Sequence, residues 1–310
     1  MYKYAEKTKT LSQLIKPLPI GSDEIFLIRG EEGLDYYCCN SLLIGDVLID
    51  TGISNNYLTQ IINEVQINKV IFTHWHEDHT AGSSLMKNCD FLCHLNGKQI
   101  IENKSSMKTY YGYEEYPSEK VIQYLSMYDL TDIQITRTIK DNDVITMIEN
   151  IPLKVIHTPG HASDLCCFYE ENLKFAYLSD IAMPESGPWY GGMDSSLLDY
   201  EKSLERILKL DIHSAALSHI GFLEEKSEIK DIIHVQQNYI QKRDEQILSY
   251  LSEKAPKSSK DLWKEKIIFT SNENYEQYLE YTEKIMIDKH FEKFLKKRII
   301  EPMKDGFILS

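Results

Sequence analysis

The sequence predicts a mixed α/β fold built in packed layers. Short apolar runs alternate with amphipathic stretches over the first two-thirds of the chain. Beyond residue 223 the texture changes to long, charged, helix-forming segments. The chain has 310 residues, 42% of them apolar, so it exceeds one small domain and can bury a sizeable core.

In chain order, the expected strands are the apolar runs EIFLIRG, DYYCCNSLLIG, DVLIDTG, KVIFTH, DFLCHL, LKVIHTPG, DLCCFYEE, LKFAYLSD and SAALSHIG. Helical patterns fall near 54–66, 96–103, 119–129 and 197–210; in the last, Leu197, Leu198, Leu204, Ile207 and Leu208 recur at helical spacing. Residues 100–140 form an inserted helical lid in which Tyr110, Tyr111, Tyr113, Tyr116, Tyr124 and Tyr128 either pack on the body or line a substrate cleft. Residues 1–223 are read as the catalytic domain and 224–310 as a helical C-terminal domain. In the latter, EIKDIIHVQQNYIQKRDEQILSYLSEK and NYEQYLEYTEKIMIDKHFEKFLKKR are separated by the turn-like APKSSKD. No internal repeat or low-complexity tract interrupts this plan.

The net charge is −14, and residues 1–223 carry nearly all of it, with 31 acidic against 18 basic residues. So acidic a body repels phosphodiester backbones, and nucleic acid is not an expected partner. No apolar run approaches the roughly 18 residues of a membrane span, and the charged N-terminal segment is unlike a signal peptide, so a cytoplasmic protein is expected. Of the six cysteines, Cys38-Cys39 and Cys166-Cys167 lie inside strand-like runs and read as free thiols on alternating strand faces.

The chemistry concentrates in Thr73-His74-Trp75-His76-Glu77-Asp78-His79-Thr80-Ala81-Gly82, directly after Val70-Ile71-Phe72. H-x-H-x-D-H arises by chance in roughly one such chain in two thousand. Neutral imidazoles beside a carboxylate suit a divalent transition metal; without one, so many polar nitrogens and oxygens would each need another partner. Further donors stand at strand ends. His161 follows the tight turn of Thr158-Pro159-Gly160, Asp180 closes Lys174–Ser179, and His219 follows Ala215-Ala216-Leu217-Ser218.

Asp50-Thr51-Gly52, HWHEDH, His161, Asp180 and His219 resemble, in order, the five motifs of the metallo-β-lactamase superfamily, over about residues 24–222. The resemblance implies an αββα four-layer sandwich with a metal site along one edge of its two sheets. It makes His74, His76 and His161 ligands of a first metal, and Asp78, His79 and His219 ligands of a second, with Asp180 bridging. Asp50 would orient the ligand loops by hydrogen bonding. His76 disfavours the flavodiiron branch, which has a glutamate there. His94, His157, His213, His234 and His290 match no motif and are read as structural or surface residues.

Such a ligand set predicts a metal-dependent hydrolase with two divalent ions, zinc by expectation and iron or manganese as alternatives. A hydroxide held between the two metals would attack the substrate, and Asp78 would serve as both ligand and base. The segment Met183–Gly192 lacks the basic residue that grips glutathione in glyoxalase II enzymes, and Met183 stands where lactonases place a tyrosine. Trp189, Tyr190 and the tyrosine-rich lid favour an apolar acyl group. The expected substrate is therefore a small-molecule acyl thioester or ester, with Tyr190 as either a site contact or a packing residue.

The tail resembles the winged-helix extension of some β-lactamase-like hydrolases, closing with a hairpin at Lys304-Asp305-Gly306. Lys289, Lys293, Lys296, Lys297 and Arg298 charge one helix that either docks on the acidic body or touches nucleic acid. The tail thus supports one alternative, a single-strand endoribonuclease. A second is a mononuclear-iron enzyme resembling persulfide dioxygenases, which keep most of these ligands but fill one site. No membrane partner is expected, and the oligomeric state, monomer or homodimer, is left open.

Overall fold

The computed structural model describes residues 11–34, 37–146, 151–183, 187–269 and 276–310, the side chains of 11, 12 and 276–279 excepted. The chain opens with α1 (Leu11–Leu14), β1 (Ile15–Pro17), β2 (Ile25–Ile28), β3 (Ser41–Ile44) and β4 (Val47–Ile49), then crosses through α2 (Asn55–Glu64) to β5 (Lys69–Ile71). After α3 (Glu77–Thr80) come β6 (Asp90–His94), α4 (Lys98–Glu102), α5 (Met107–Tyr110), α6 (Glu119–Leu125) and β7 (Arg137–Ile139). These strands form one seven-stranded sheet in sequence order, antiparallel from β1 to β4 and parallel from β4 to β7.

The second sheet contains β8 (Val144–Thr146), β9 (Pro152–His157), β10 (Cys166–Glu170), β11 (Phe175–Ser179), β12 (Ser214–Leu217) and β13 (Gly221–Leu223). It runs in the order β13-β12-β11-β10-β9-β8. Only β11 and β12 pair in parallel, and α7 (Leu197–Leu208) makes that crossover. The chain ends with α8 (Lys226–Tyr250), α9 (Ser259–Leu262), α10 (Glu276–Lys296) and the hairpin β14 (Ile300–Met303) and β15 (Gly306–Leu309).

Strand alternation explains why the inner runs read as continuously apolar. Leu42, Ile44, Ile49, Ile71 and Leu92 of the first sheet meet Val155, Phe168, Tyr177 and Ala216 of the second in one core between the sheets. Their neighbours Leu43, Leu48, Val70 and Cys93 point the other way, into a layer formed with α2, α4, α5 and α6. On the far side, Ile156, Cys167, Leu178 and Leu217 pack beneath α7, α8 and α10. Helix, sheet, sheet and helix therefore stack as the expected four layers.

The 224–310 segment buries Ile229, Ile233 and Ile240 of α8 and Ile287, Phe291 and Phe294 of α10 in the same core as α7. Lys289 and Lys293 face inward. Lys289 Nζ donates to the Met193 carbonyl at 2.9 Å, and Lys293 pairs with Glu201 and Asp244. Within residues 100–140, Met107, Tyr111 and Val121 are buried against the first sheet, while Tyr124 and Tyr128 join through their hydroxyls at 2.9 Å.

Several sequence readings shift. Cys38 and Cys39 lie outside β3, in an irregular segment whose amides bond across the sheet edge, Cys39 N to Gly52 O at 3.1 Å and Asn40 N to Ser218 O at 2.7 Å. Asp35 and Tyr36, at the start of the expected DYYCC strand, lie outside the described residues. Strands β1, β7, β8 and β13, three residues each, escape sequence reading because none buries more than one residue and so none sits in a continuous apolar run, unlike the equally short β4 and β5.

Candidate metal centre

Asp50 follows β4 and is fully buried, in the left-handed region at φ 63. Its Oδ1 accepts from the Thr73 amide at 2.8 Å, and its Oδ2 accepts from the Thr73 hydroxyl and from His79 Nδ1, each at 2.8 Å. The Thr73 hydroxyl lies 2.9 Å from Ser179 Oγ and 3.0 Å from His74 Nδ1. Thr73 immediately precedes the histidine cluster, and one buried carboxylate thus ties the ends of β4 and β5 together. Gly52 lets the backbones close up: a Cβ there would lie 1.6 Å from the Asp78 carbonyl oxygen.

Around this hub the structure brings all seven expected ligand residues together. His76 Nδ1 lies 2.9 Å from both His74 Nε2 and His161 Nε2. Asp180, after the bulged end of β11, places Oδ2 3.5 Å from His161 Nε2 and 3.4 Å from His219 Nε2, and Oδ1 3.3 Å from His79 Nε2. Asp78 Oδ2 lies 3.2 Å from His219 Nε2. Donor atoms of His74, His76 and His161 form one close group, those of Asp78, His79 and His219 another, and Asp180 joins His74 and His79 in a third. The side chains of Asp78 and His219 keep 13% and 12% of their exposure, whereas His74 and His79 are sealed, so the centre opens on the Asp78 side.

Second nitrogens are already committed elsewhere. His79 Nδ1–H donates to Asp50, and His161 Nδ1–H donates to the Trp189 carbonyl at 2.9 Å. The inward nitrogen of His161 then faces His76, and that of His79 faces Asp180 at 3.3 Å. Burial opposes a charge on His79, but the carboxylates of Asp180, Asp50 and Asp78 outweigh it and hold this residue well above the ordinary histidine range. Burial and the neighbouring imidazoles hold His74 and His76 well below the ordinary histidine range. Burial also opposes a charge on His219, but Asp180 and Asp78 outweigh it and push this residue up to about 10. His76 Nε2 is buried without a hydrogen-bond partner, and His79 Nε2 and Asp180 Oδ1 face only each other, 3.3 Å apart. Five imidazoles converging beside two carboxylates, with charge drawn onto His79 and His219 by those carboxylates, are a donor set that divalent cations would satisfy.

An aromatic wall backs the centre. The Trp189 ring lies 5.1 Å from that of His76 and 5.3 Å from that of His161, and Tyr111 stacks on His76 at 5.8 Å. The Tyr111 hydroxyl donates to Glu77, the buried carboxylate between His76 and Asp78.

Residues 38–219 match the Lactamase_B family, described as the metallo-beta-lactamase superfamily. The chain belongs to the metallo-β-lactamase superfamily. A beta-lactamase domain protein from Burkholderia ambifaria shares the fold, with a TM-score of 0.71 at 14% identity over 100% of this chain and 97% of that one. An atrochrysone carboxyl ACP thioesterase from Aspergillus chevalieri is 27% identical over 46% of this chain and 39% of its own length. A hydroxyacylglutathione hydrolase from Prochlorococcus marinus is 25% identical over 56% of this chain and 54% of its own. The chain therefore spans about half or less of these two relatives.

In this metallo-β-lactamase fold the five remaining histidines stay out of the seven-residue cluster. His94 and His157 stack at 3.9 Å, His213 and His234 are exposed, and His290 is buried between Tyr190 and Asp244. Tyr190 is fully buried and turned toward α10, which settles its two readings in favour of packing. The Trp189 carbonyl and the Glu77–Tyr111 bond carried no sequence signal, because backbone acceptors and contacts between distant segments leave no residue pattern.

Chelation followed by zinc titration checks the fit of cations to this cluster. Zinc at a hundredfold excess over its Kd should stabilise the stripped protein by about 2.7 kcal/mol, read as a rise in Tm. An unmoved Tm would mean that the converging nitrogens hold protons instead.

Proposed function

We propose that the protein is a zinc-dependent hydrolase of acyl thioesters or esters. The convergence of seven histidine and aspartate side chains on one opening carries this reading. His74, His76 and His161 would hold one cation, and Asp78, His79 and His219 a second, with Asp180 between them. Imidazole and carboxylate donors suit zinc, and iron or manganese accept the same set. Bound cations would supply Lewis acidity toward a carbonyl oxygen and lower the pKa of water toward about 7.

The remaining work falls to the chain's own groups. Asp78 stands on the open side and can accept a proton at Oδ2, where His219 Nε2 lies 3.2 Å away. Asp50 and the Trp189 carbonyl fix which nitrogens of His79 and His161 face inward. Trp189 and Tyr111 set an apolar wall against His76 and His161 that would keep water from that side of the centre and favour an apolar acyl group. The thioesterase named among the relatives supports this choice of bond. The absence of Lys and Arg from Met183–Gly192 supports a thiol other than glutathione. All six cysteines are free, in keeping with a reducing cytoplasm.

Purified protein of measured metal content, assayed on acyl thioesters, esters, lactones and short single-stranded RNA, tests the proposal. Two zinc ions per chain with thioester or ester turnover is the expected result. One iron per chain with oxygen uptake on glutathione persulfide, or salt-sensitive RNA cleavage without ester turnover, would refute it.

A further inference from the structure

We propose that Arg243 and His290, on the C-terminal helices α8 and α10, are positioning residues for His161, acting through the backbone of Pro188, Trp189 and Tyr190. This inference rests on the reading of His161 as a metal ligand. None of the three described loop residues belongs to the ligand motifs, yet the loop touches the centre twice. The Trp189 carbonyl accepts from His161 Nδ1 at 2.9 Å, and the Trp189 indole packs on the rings of both His76 and His161.

The helices grip this loop on both sides of Trp189. Arg243 Nη1 donates to the Pro188 carbonyl at 2.8 Å and to the Tyr190 hydroxyl at 3.1 Å. That hydroxyl lies 2.7 Å from His290 Nε2, and His290 Nδ1 lies 2.6 Å from Asp244 Oδ1. Burial holds His290 below the usual histidine range, so its neutral ring donates to Asp244 and accepts from Tyr190. Lys293 pairs with the other Asp244 oxygen and closes the relay. Just beyond, Gly191 lies against α10 so closely that a Cβ there would approach Thr282 Cγ2 at 2.6 Å.

The consequence is geometric. Consecutive Cα atoms are about 3.8 Å apart, so pinning Pro188 and Tyr190 leaves the Trp189 peptide little freedom to rotate. The carbonyl that selects the His161 tautomer is therefore aimed by residues in the tail, outside the 38–219 span that matches the family. Loss of such a supporting contact typically weakens metal binding 10–100-fold, and one bond further out the lower end applies.

The test is zinc affinity of the full chain, measured by competition with a chromogenic chelator, for wild type, Tyr190→Phe, Arg243→Lys and Ile287→Val. Tyr190→Phe removes one hydroxyl and keeps the ring, so it serves if Arg243→Lys fails to fold. Ile287 is buried on α10, and its trimming loosens packing without touching the relay. One zinc-binding step should weaken about tenfold in Tyr190→Phe and Arg243→Lys, with the other step unchanged. In those variants kcat should recover at saturating zinc, which a general folding defect would not allow. Unchanged zinc binding in Tyr190→Phe, or an equal loss in Ile287→Val, overturns the proposal. Wild-type protein that binds no zinc would instead overturn the underlying reading of the metal centre, and the wild-type titration alone distinguishes that case.

Discussion

Asp78→Ala and His76→Ala are each expected to lower kcat by at least about 10³-fold while the protein stays folded. His76 Nδ1 stands at 2.9 Å from two other imidazole nitrogens, so its loss removes the central donor of one group. Asp78 is the exposed-side carboxylate of the other group and the residue placed to take a proton. Neither side chain holds the sandwich together, because the interlocking bonds run through Asp50, Thr73 and Ser179. Around His76 the metal-free cluster crowds imidazoles, so His76→Ala should leave the Tm of chelator-treated protein equal or higher, whereas Asp78→Ala gives up the contact with His219 and should lower it slightly. Turnover within tenfold of wild type in either variant, with zinc saturating, would remove the proposed chemistry. Circular dichroism separates a silent folded enzyme from an unfolded one.

Gly52→Ala should be as damaging as loss of a ligand, by a different route. The added carbon would sit 1.6 Å from the Asp78 carbonyl oxygen and 2.5 Å from its carbon, and backbone cannot yield as a flexible side chain does. The loop has no slack, because Thr51 N bonds His79 O at 2.9 Å and Thr51 Oγ1 bonds Ala81 O at 2.8 Å. Relief must push the Asp78–His79 backbone away from Thr51, breaking those bonds and dispersing the second ligand group. We expect a loss of about 3 kcal/mol in urea unfolding together with loss of zinc from that group. Thr51→Ser keeps the hydroxyl and should cost less than about 1 kcal/mol. A Gly52→Ala protein of wild-type stability and zinc content would show that the close approach is dispensable.

Those two outcomes bear on how much could be read from the chain before its structure. His74, His76, Asp78 and His79 were legible because a hexapeptide after a β-rich run concentrates donors that a cation would satisfy together. The inner strands were legible because burial on both faces leaves an unbroken apolar run, as in Phe175–Ser179. Strand β8, three residues with two of them exposed, had no such mark. Cys38 and Cys39 misled for a related reason: an apolar loop buried at a sheet edge looks like a strand.

Residue types and their order thus carried the resemblance to the family, and the resemblance in turn implied the layers and the seven expected ligands. Tertiary packing alone decided that His161, Asp180 and His219 from one sheet meet the hexapeptide of the other, that Tyr190 turns away from the centre, and that α8 and α10 close over the Trp189 loop. Those outcomes depend on contacts between segments far apart in the chain, whose free energy exists only once both sheets have packed.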